Sequence, residues 1–219
     1  GVYDLYRESF KLFEETLGID FQEIDSYTEN ADIPIGDEEE GAYSQSLIID
    51  HHMIDWSEIN IEKDWPADVD LGGDYLQTVH HEIGHAIGLG HPGNYNGEGI
   101  TYSSDAKFAN DSWQASIMSY FDQTENTSIN ASNIFLMTPS AVDWIALDNI
   151  YSKYSGFGVS QAFSGDTTFG FNTNISSSTS EIWSTFSSKI RDNSYCIVDG
   201  SGNDTLDLSE MTSNDKVDL

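Results

Sequence analysis

The sequence predicts an α+β fold whose C-terminal part turns β-rich. Three observations predict it. Apolar residues recur at helical spacing near the start, between residues 3 and 17. Several short stretches before residue 62 alternate as strands do. Past Phe157, Ser, Thr, Asn and Gly dominate and helical periodicity fades, so a first domain is expected over 1–157 and a partial β-rich domain over 158–219.

The elements follow in order. Leu5, Phe10, Leu12, Phe13 and Leu17 form one apolar stripe that ends at Gly18, which reads as an amphipathic helix with a glycine stop. Ile19 to Ile24, Ala31 to Ile35 and Ala42 to Ile49 alternate as strands, and Gly36 to Gly41 forms an acidic turn between the last two. A fourth strand is expected around Glu58 to Glu62. Gly72-Gly73-Asp74 opens a helix running from about Tyr75 to Leu89, with Asp74 as N-cap. A long polar loop follows, from Gly90 to about Asp111. Thr138 and Pro139 start another helix as N-cap and first helical residue.

The charge balance narrows the choice of partners. There are 8 basic against 38 acidic residues among 219, a formal charge of −30. Such a surface repels phosphate backbones, which argues against nucleic acid and anionic membranes. Most of this acidity reads as a solvated surface that keeps a secreted protein in solution, with calcium binding as the sharper reading near the C-terminus. No run of 18 apolar residues exists to span a membrane. The single cysteine, Cys196, allows no internal disulfide and sits in the apolar run Tyr195-Cys196-Ile197-Val198, where it reads as a small buried hydrophobe. The start, Gly1-Val2-Tyr3-Asp4, has the look of a processed or trimmed end.

The chemistry lies in His81-Glu82-Ile83-Gly84-His85-Ala86-Ile87-Gly88-Leu89-Gly90-His91. Residues four apart share a helix face, separated by about 6 Å along the axis. The imidazoles of His81 and His85 can therefore reach one zinc ion at about 2.0–2.1 Å each. His91 is six residues further on, and on a continuing helix it would point roughly 240° away. The helix must break, and Gly88 can adopt the positive φ that breaks it. Three neutral imidazoles leave a position open for water, as catalytic zinc sites do. Glu82, directly after the first ligand, can accept that water's proton and pass it to the leaving amine. His51, His52 and His80 fit no ligand spacing and read as ordinary surface or strand residues. Met118, in Ser116-Ile117-Met118-Ser119-Tyr120, falls where a turn beneath the metal is expected, and Tyr120 can bring a phenol to the zinc.

The stretch from His81 to Phe121 resembles the serralysins, secreted bacterial zinc metalloproteases of the metzincin clan. The zinc motif is followed by His91-Pro92-Gly93-Asn94-Tyr95, Gly97-Glu98-Gly99, Asp111-Ser112 and Ser116-Ile117-Met118-Ser119-Tyr120-Phe121, in the family's order. Weaker similarity extends through Thr138-Pro139 to Tyr151, and to Phe169-Gly170-Phe171-Asn172 and Asp199 to Thr205. The resemblance implies a metzincin catalytic domain, with a mixed twisted sheet flanked by two long helices, and a β-roll behind it. It implies endopeptidase activity on extended polypeptides, which would pair with an edge strand including Gly41-Ala42-Tyr43-Ser44. It also implies Tyr120 as a further zinc ligand in the resting enzyme, and an extracellular location. The expected oligomeric state is a monomer.

Three departures stand out. The likeness begins at the family's first long helix, without its leading strand. It ends at Leu219, before any glycine-rich nonapeptides. The Arg and Asp calcium ligands expected after Asn172 are not evident. Asp199 to Leu206 still has the form of one glycine-and-aspartate calcium turn, with Asp199, Ser201, Gly202 and Asp204 as candidate ligands, and a plain polar hairpin turn remains open beside it. A metzincin-like zinc protein of another family, and a secreted binding module without proteolysis, are the alternative functions.

Overall fold

A computed structural model describes residues 1–24, 31–65, 68–212 and 217. Helix α1, Val2–Leu17, buries Leu5, Leu12, Phe13 and Leu17 and ends at Gly18 in the left-handed region. A fully buried Leu or Phe contributes about 1.5–3 kcal/mol, so this stripe holds α1 on the core. Ile19 to Ile24 forms no strand. The segment instead turns back along α1: Phe21 packs on Phe10, with ring centroids 4.9 Å apart, and its amide donates to Glu14 Oε1. Contact with the helix has displaced strand pairing.

Among the described residues the main sheet has three strands: β1 (Ile35–Gly36), β2 (Ala42–Ile49) and β3 (Met53–Ile61). Their order is β1-β3-β2, with β1 parallel and β2 antiparallel to β3, so the sheet is mixed and β2 is an edge. Of the strand expected over Ala31 to Ile35, Ile35 pairs in register with β3, followed by Gly36, while the Asp32 and Pro34 carbonyls accept from the Ser57 and Ile59 amides. β3 starts at Met53, five residues before the expected strand. His51 and His52 lie exposed in the turn between β2 and β3.

Ile59 and Ile61 are fully buried and join the core formed by α1 and α2. Helix α2 spans Asp74–Ala86, and its N-cap is Gly73, with Asp74 already helical. A short helix α3, Tyr102–Asp105, interrupts the long polar loop. Strand β4, Phe135–Leu136, precedes helix α4, Ala141–Tyr151. The cap of α4 is Ser140, two residues after the expected Thr138. The Thr138 hydroxyl is already engaged, accepting from the Cys196 amide at 2.8 Å. Cys196 itself is half-buried.

A 3₁₀ turn at Val159–Gln161 follows, then β5 (Thr168–Gly170), α5 (Glu181–Ser184), α6 (Phe186–Lys189), β6 (Asn193–Ser194) and β7 (Thr205–Asp207). The β-rich character expected here amounts, among the described residues, to short parallel pairs, β5 with β7 and β4 with β6. The two short helices were not expected. Ile182, Trp183 and Phe186 bury in the same apolar cluster as α1 and α2, and that burial stabilises helices too short to form alone. No described helix is long and apolar enough to cross a membrane.

Candidate metal centre

α2 ends where the motif requires. Ala86 is its last residue, and Gly88 takes φ +115°. The Leu89 amide then bonds back to Gly84 O at 2.8 Å, and the chain turns so that His91 faces His81 and His85. The Nε2 atoms of His81 and His91 lie 3.2 Å apart, and those of His85 and His91 3.0 Å apart.

Each ring is held from behind. The Nδ1 atoms of His81, His85 and His91 each donate at 2.9 Å to a backbone carbonyl, of Ile117, Leu89 and Tyr95 respectively. With the proton on Nδ1, every Nε2 presents a lone pair, and three lone pairs meet with no hydrogen between them. Burial lowers the pKa of all three, to about 3 for His81 and about 4 for His85, so the rings stay neutral. A cation satisfies such an arrangement and a proton does not. The donor set is that of a zinc site, and the three residues fit one.

Glu82 is 4% exposed, and its Oε2 has no hydrogen-bond partner among the described residues. Burial raises its pKa to about 8. A dication held beside it would oppose that shift and favour the carboxylate. The Tyr120 ring sits 4.5 Å from His91 and 6.1 Å from His81, centroid to centroid. Its hydroxyl donates to Asn96 Oδ1 at 3.2 Å.

Met118 is buried under α2. A Cβ placed on Gly84 would lie 2.8 Å from Met118 Sδ, so the absence of a side chain between the two helical histidines lets the methionine turn close on the helix. Asp143 of α4 holds that turn in place. It is 2% exposed and accepts from Ser116 Oγ at 2.6 Å, the Ile117 amide at 2.7 Å and the Ser140 amide at 2.8 Å. The Ile117 carbonyl on the other side of that turn is the one that holds His81. Sequence reading missed Asp143, and a carboxylate three residues after a helix cap was the available signal.

His80 corrects an expectation. It is neither a surface nor a strand residue: it lies on α2, fully buried, with burial lowering its pKa to about 4. Its Nδ1 accepts from Ser9 Oγ at 2.5 Å and its Nε2 donates to Met137 O at 3.2 Å, tying α1 and the chain after β4 to the helix that carries His81 and His85.

The C-terminal candidates do come near one another. Asp199 lies close enough to Asp204 for the second charge to raise the pKa of the first, after burial as the larger cause. Much of their bonding capacity is spent on backbone: Asp199 Oδ1 accepts from the Ser201 amide at 3.0 Å, and Asp204 Oδ1 from the Thr167 amide at 2.8 Å.

Comparison with known proteins agrees with this geometry. Residues 60–145 match the family model described as metallo-peptidase family M12B, reprolysin-like. Over 155 residues the chain is 36% identical to metallopeptidase AprA of Pseudomonas marginalis, covering 68% of this chain and 30% of that protein. It is 37% identical over 144 residues to serralysin C of Dickeya chrysanthemi, covering 65% of this chain and 28% of the relative. The chain belongs to the serralysin family. A serralysin of Photorhabdus luminescens is 32% identical over 155 residues, again covering 30% of its length. The match thus spans less than a third of these curated relatives. The family-model match over residues 60–145 includes the histidine centre, the turn at Met118 and the start of α4.

Proposed function

We propose that this chain carries the catalytic domain of an extracellular zinc endopeptidase, with His81, His85 and His91 as zinc ligands. The observation behind it is the convergence of three unprotonated Nε2 atoms beside a buried, unpartnered Glu82 carboxylate. When bound there, zinc supplies a Lewis acid and brings the pKa of a coordinated water down to about 7. Glu82 is the general base: it takes one proton from the attacking water and delivers it to the amide nitrogen as the C–N bond breaks. Tyr120 would join the ligand set at rest. With substrate present it donates a hydrogen bond to the oxygen that carries negative charge in the tetrahedral intermediate, leaving Asn96 to do so.

β2 offers free backbone groups along its outer edge, which suits an extended peptide pairing near Gly41 to Ser44. The acidic surface suits a soluble monomer outside the cell. The facing carboxylates of Asp199 and Asp204, with Ser201 and Gly202, are proposed to take calcium.

Casein hydrolysis tests the central reading. The purified chain should hold about one zinc, lose activity to a chelator and regain it with zinc. Glu82→Ala should keep the metal and lose about 10²–10⁴ in rate. Near-normal turnover by Glu82→Ala would sink the assignment.

A further inference from the structure

Asp111 is the most heavily buried acid near the centre that the proposed reaction does not use. It is 1% exposed. Its Oδ1 accepts two hydroxyls, Tyr95 Oη at 2.8 Å and Ser119 Oγ at 2.7 Å. Its Oδ2 is shut off from solvent and has no partner among the described residues. These two hydroxyls come from the two segments that flank the histidines. Tyr95 lies in the loop after His91, accepts the His91 Nδ1 proton on its own carbonyl at 2.9 Å, and stacks its ring on the imidazole at 5.5 Å and 20°. Ser119 lies in the methionine turn, one residue before Tyr120, and its hydroxyl also accepts the Phe121 amide at 3.2 Å.

We propose that Asp111 is a positioning residue for the metal centre: it clamps the His91 loop to the methionine turn through Tyr95 and Ser119, and lends the bound dication a buried negative charge. The clamp follows from the shared oxygen. The charge follows from the chemistry of the alternatives. An asparagine could accept the same two hydroxyls on one oxygen, whereas a carboxylate leaves a second oxygen buried and unpaired, which costs stability. Three neutral imidazoles leave a dication's charge uncompensated, and Glu82 carries one negative charge at most. A second buried anion, joined to His91 through Tyr95, makes up the balance in a medium where charges act strongly.

The inference rests on the zinc reading, and zinc release separates the two. Release to a coloured chelator is followed for the wild type, Asp111→Asn and Tyr95→Phe, with melting of each metal-free protein alongside. Asp111→Asn should speed release about 10–100-fold, and Tyr95→Phe, which deletes only the hydroxyl, about tenfold, both with metal-free melting within about 2 °C of wild type. The peptide KM should stay near wild type in both. Unchanged release rates overturn the proposal and leave the zinc reading standing. Faster release matched by an equal fall in metal-free melting also overturns it, since the role would then be packing alone. A wild type that takes up no zinc overturns both readings. If Asp111→Asn does not fold, Tyr95→Phe decides by the same measure.

Discussion

At the histidine centre the second ring nitrogens are spent on backbone carbonyls, so the ligand atoms face one another with nothing between them. In the turn from Asp199 to Asp204 the side chains are partly turned to the backbone: one oxygen of each aspartate accepts from an amide, of Ser201 and Thr167, while Asp199 Oδ2 is buried without a partner among the described residues. One region orients its side chains away from the backbone and toward a shared point. The other uses its side chains to shape the backbone, and only what is left over is free for a cation. Both were candidate metal sites by composition. The difference teaches that a ligand-rich motif becomes a site when something else satisfies the rest of each side chain.

The contrast can be broken most severely at Tyr120. If the centre is arranged for a transition state, Tyr120→Phe should lower kcat about 10²–10³-fold and leave KM nearly alone. Steady-state kinetics on a short fluorogenic peptide would show it, and an unchanged kcat would mean that the phenol only packs beside His91. A smaller effect is expected from crowding the floor of the site. Gly84→Ala drives a methyl group against Met118 Sδ, and overpacking of that kind costs about 1–3 kcal/mol. The zinc-loaded melting temperature should fall by several degrees, and wild-type melting would show that the methionine turn gives way freely. The smallest effect belongs to the acidic turn. Calcium at ten times its dissociation constant adds about 1.4 kcal/mol, roughly 3–6 °C for a chain of this size. Asp204→Ala should abolish that rise. A flat calcium titration would leave a turn whose carboxylates only hold backbone; it is no hairpin, since the strand that follows it, β7, pairs in parallel with β5.

How much was legible depends on how far apart the interacting residues lie. The His81 and His85 pairing follows from helical spacing alone, and Gly88 announced the break that brings His91 round. β2 runs over the expected Ala42 to Ile49 to the residue, although its side chains are only half-buried or exposed. Helix caps slipped by one or two positions, as at Ser140, because a hydroxyl in the predicted place was drawn to a strand-like segment 58 residues away.

What the sequence by itself determined is therefore local: the α1 stripe, the helix that carries His81 and His85 with its break at Gly88, and the place of Glu82 beside the first histidine. Tertiary structure alone decided which carboxylates support the centre. Asp143 reaches Ile117 across 26 residues, Asp111 gathers Tyr95 and Ser119 from either side, and His80 meets Ser9 across 71. The physical reason is that a buried polar group must find a partner wherever the fold places one, and no sequence period records such a meeting. Hydrophobic burial likewise made helices of Glu181–Ser184 and Phe186–Lys189, whose residues carry little helical signal until Trp183 and Phe186 enter the common core.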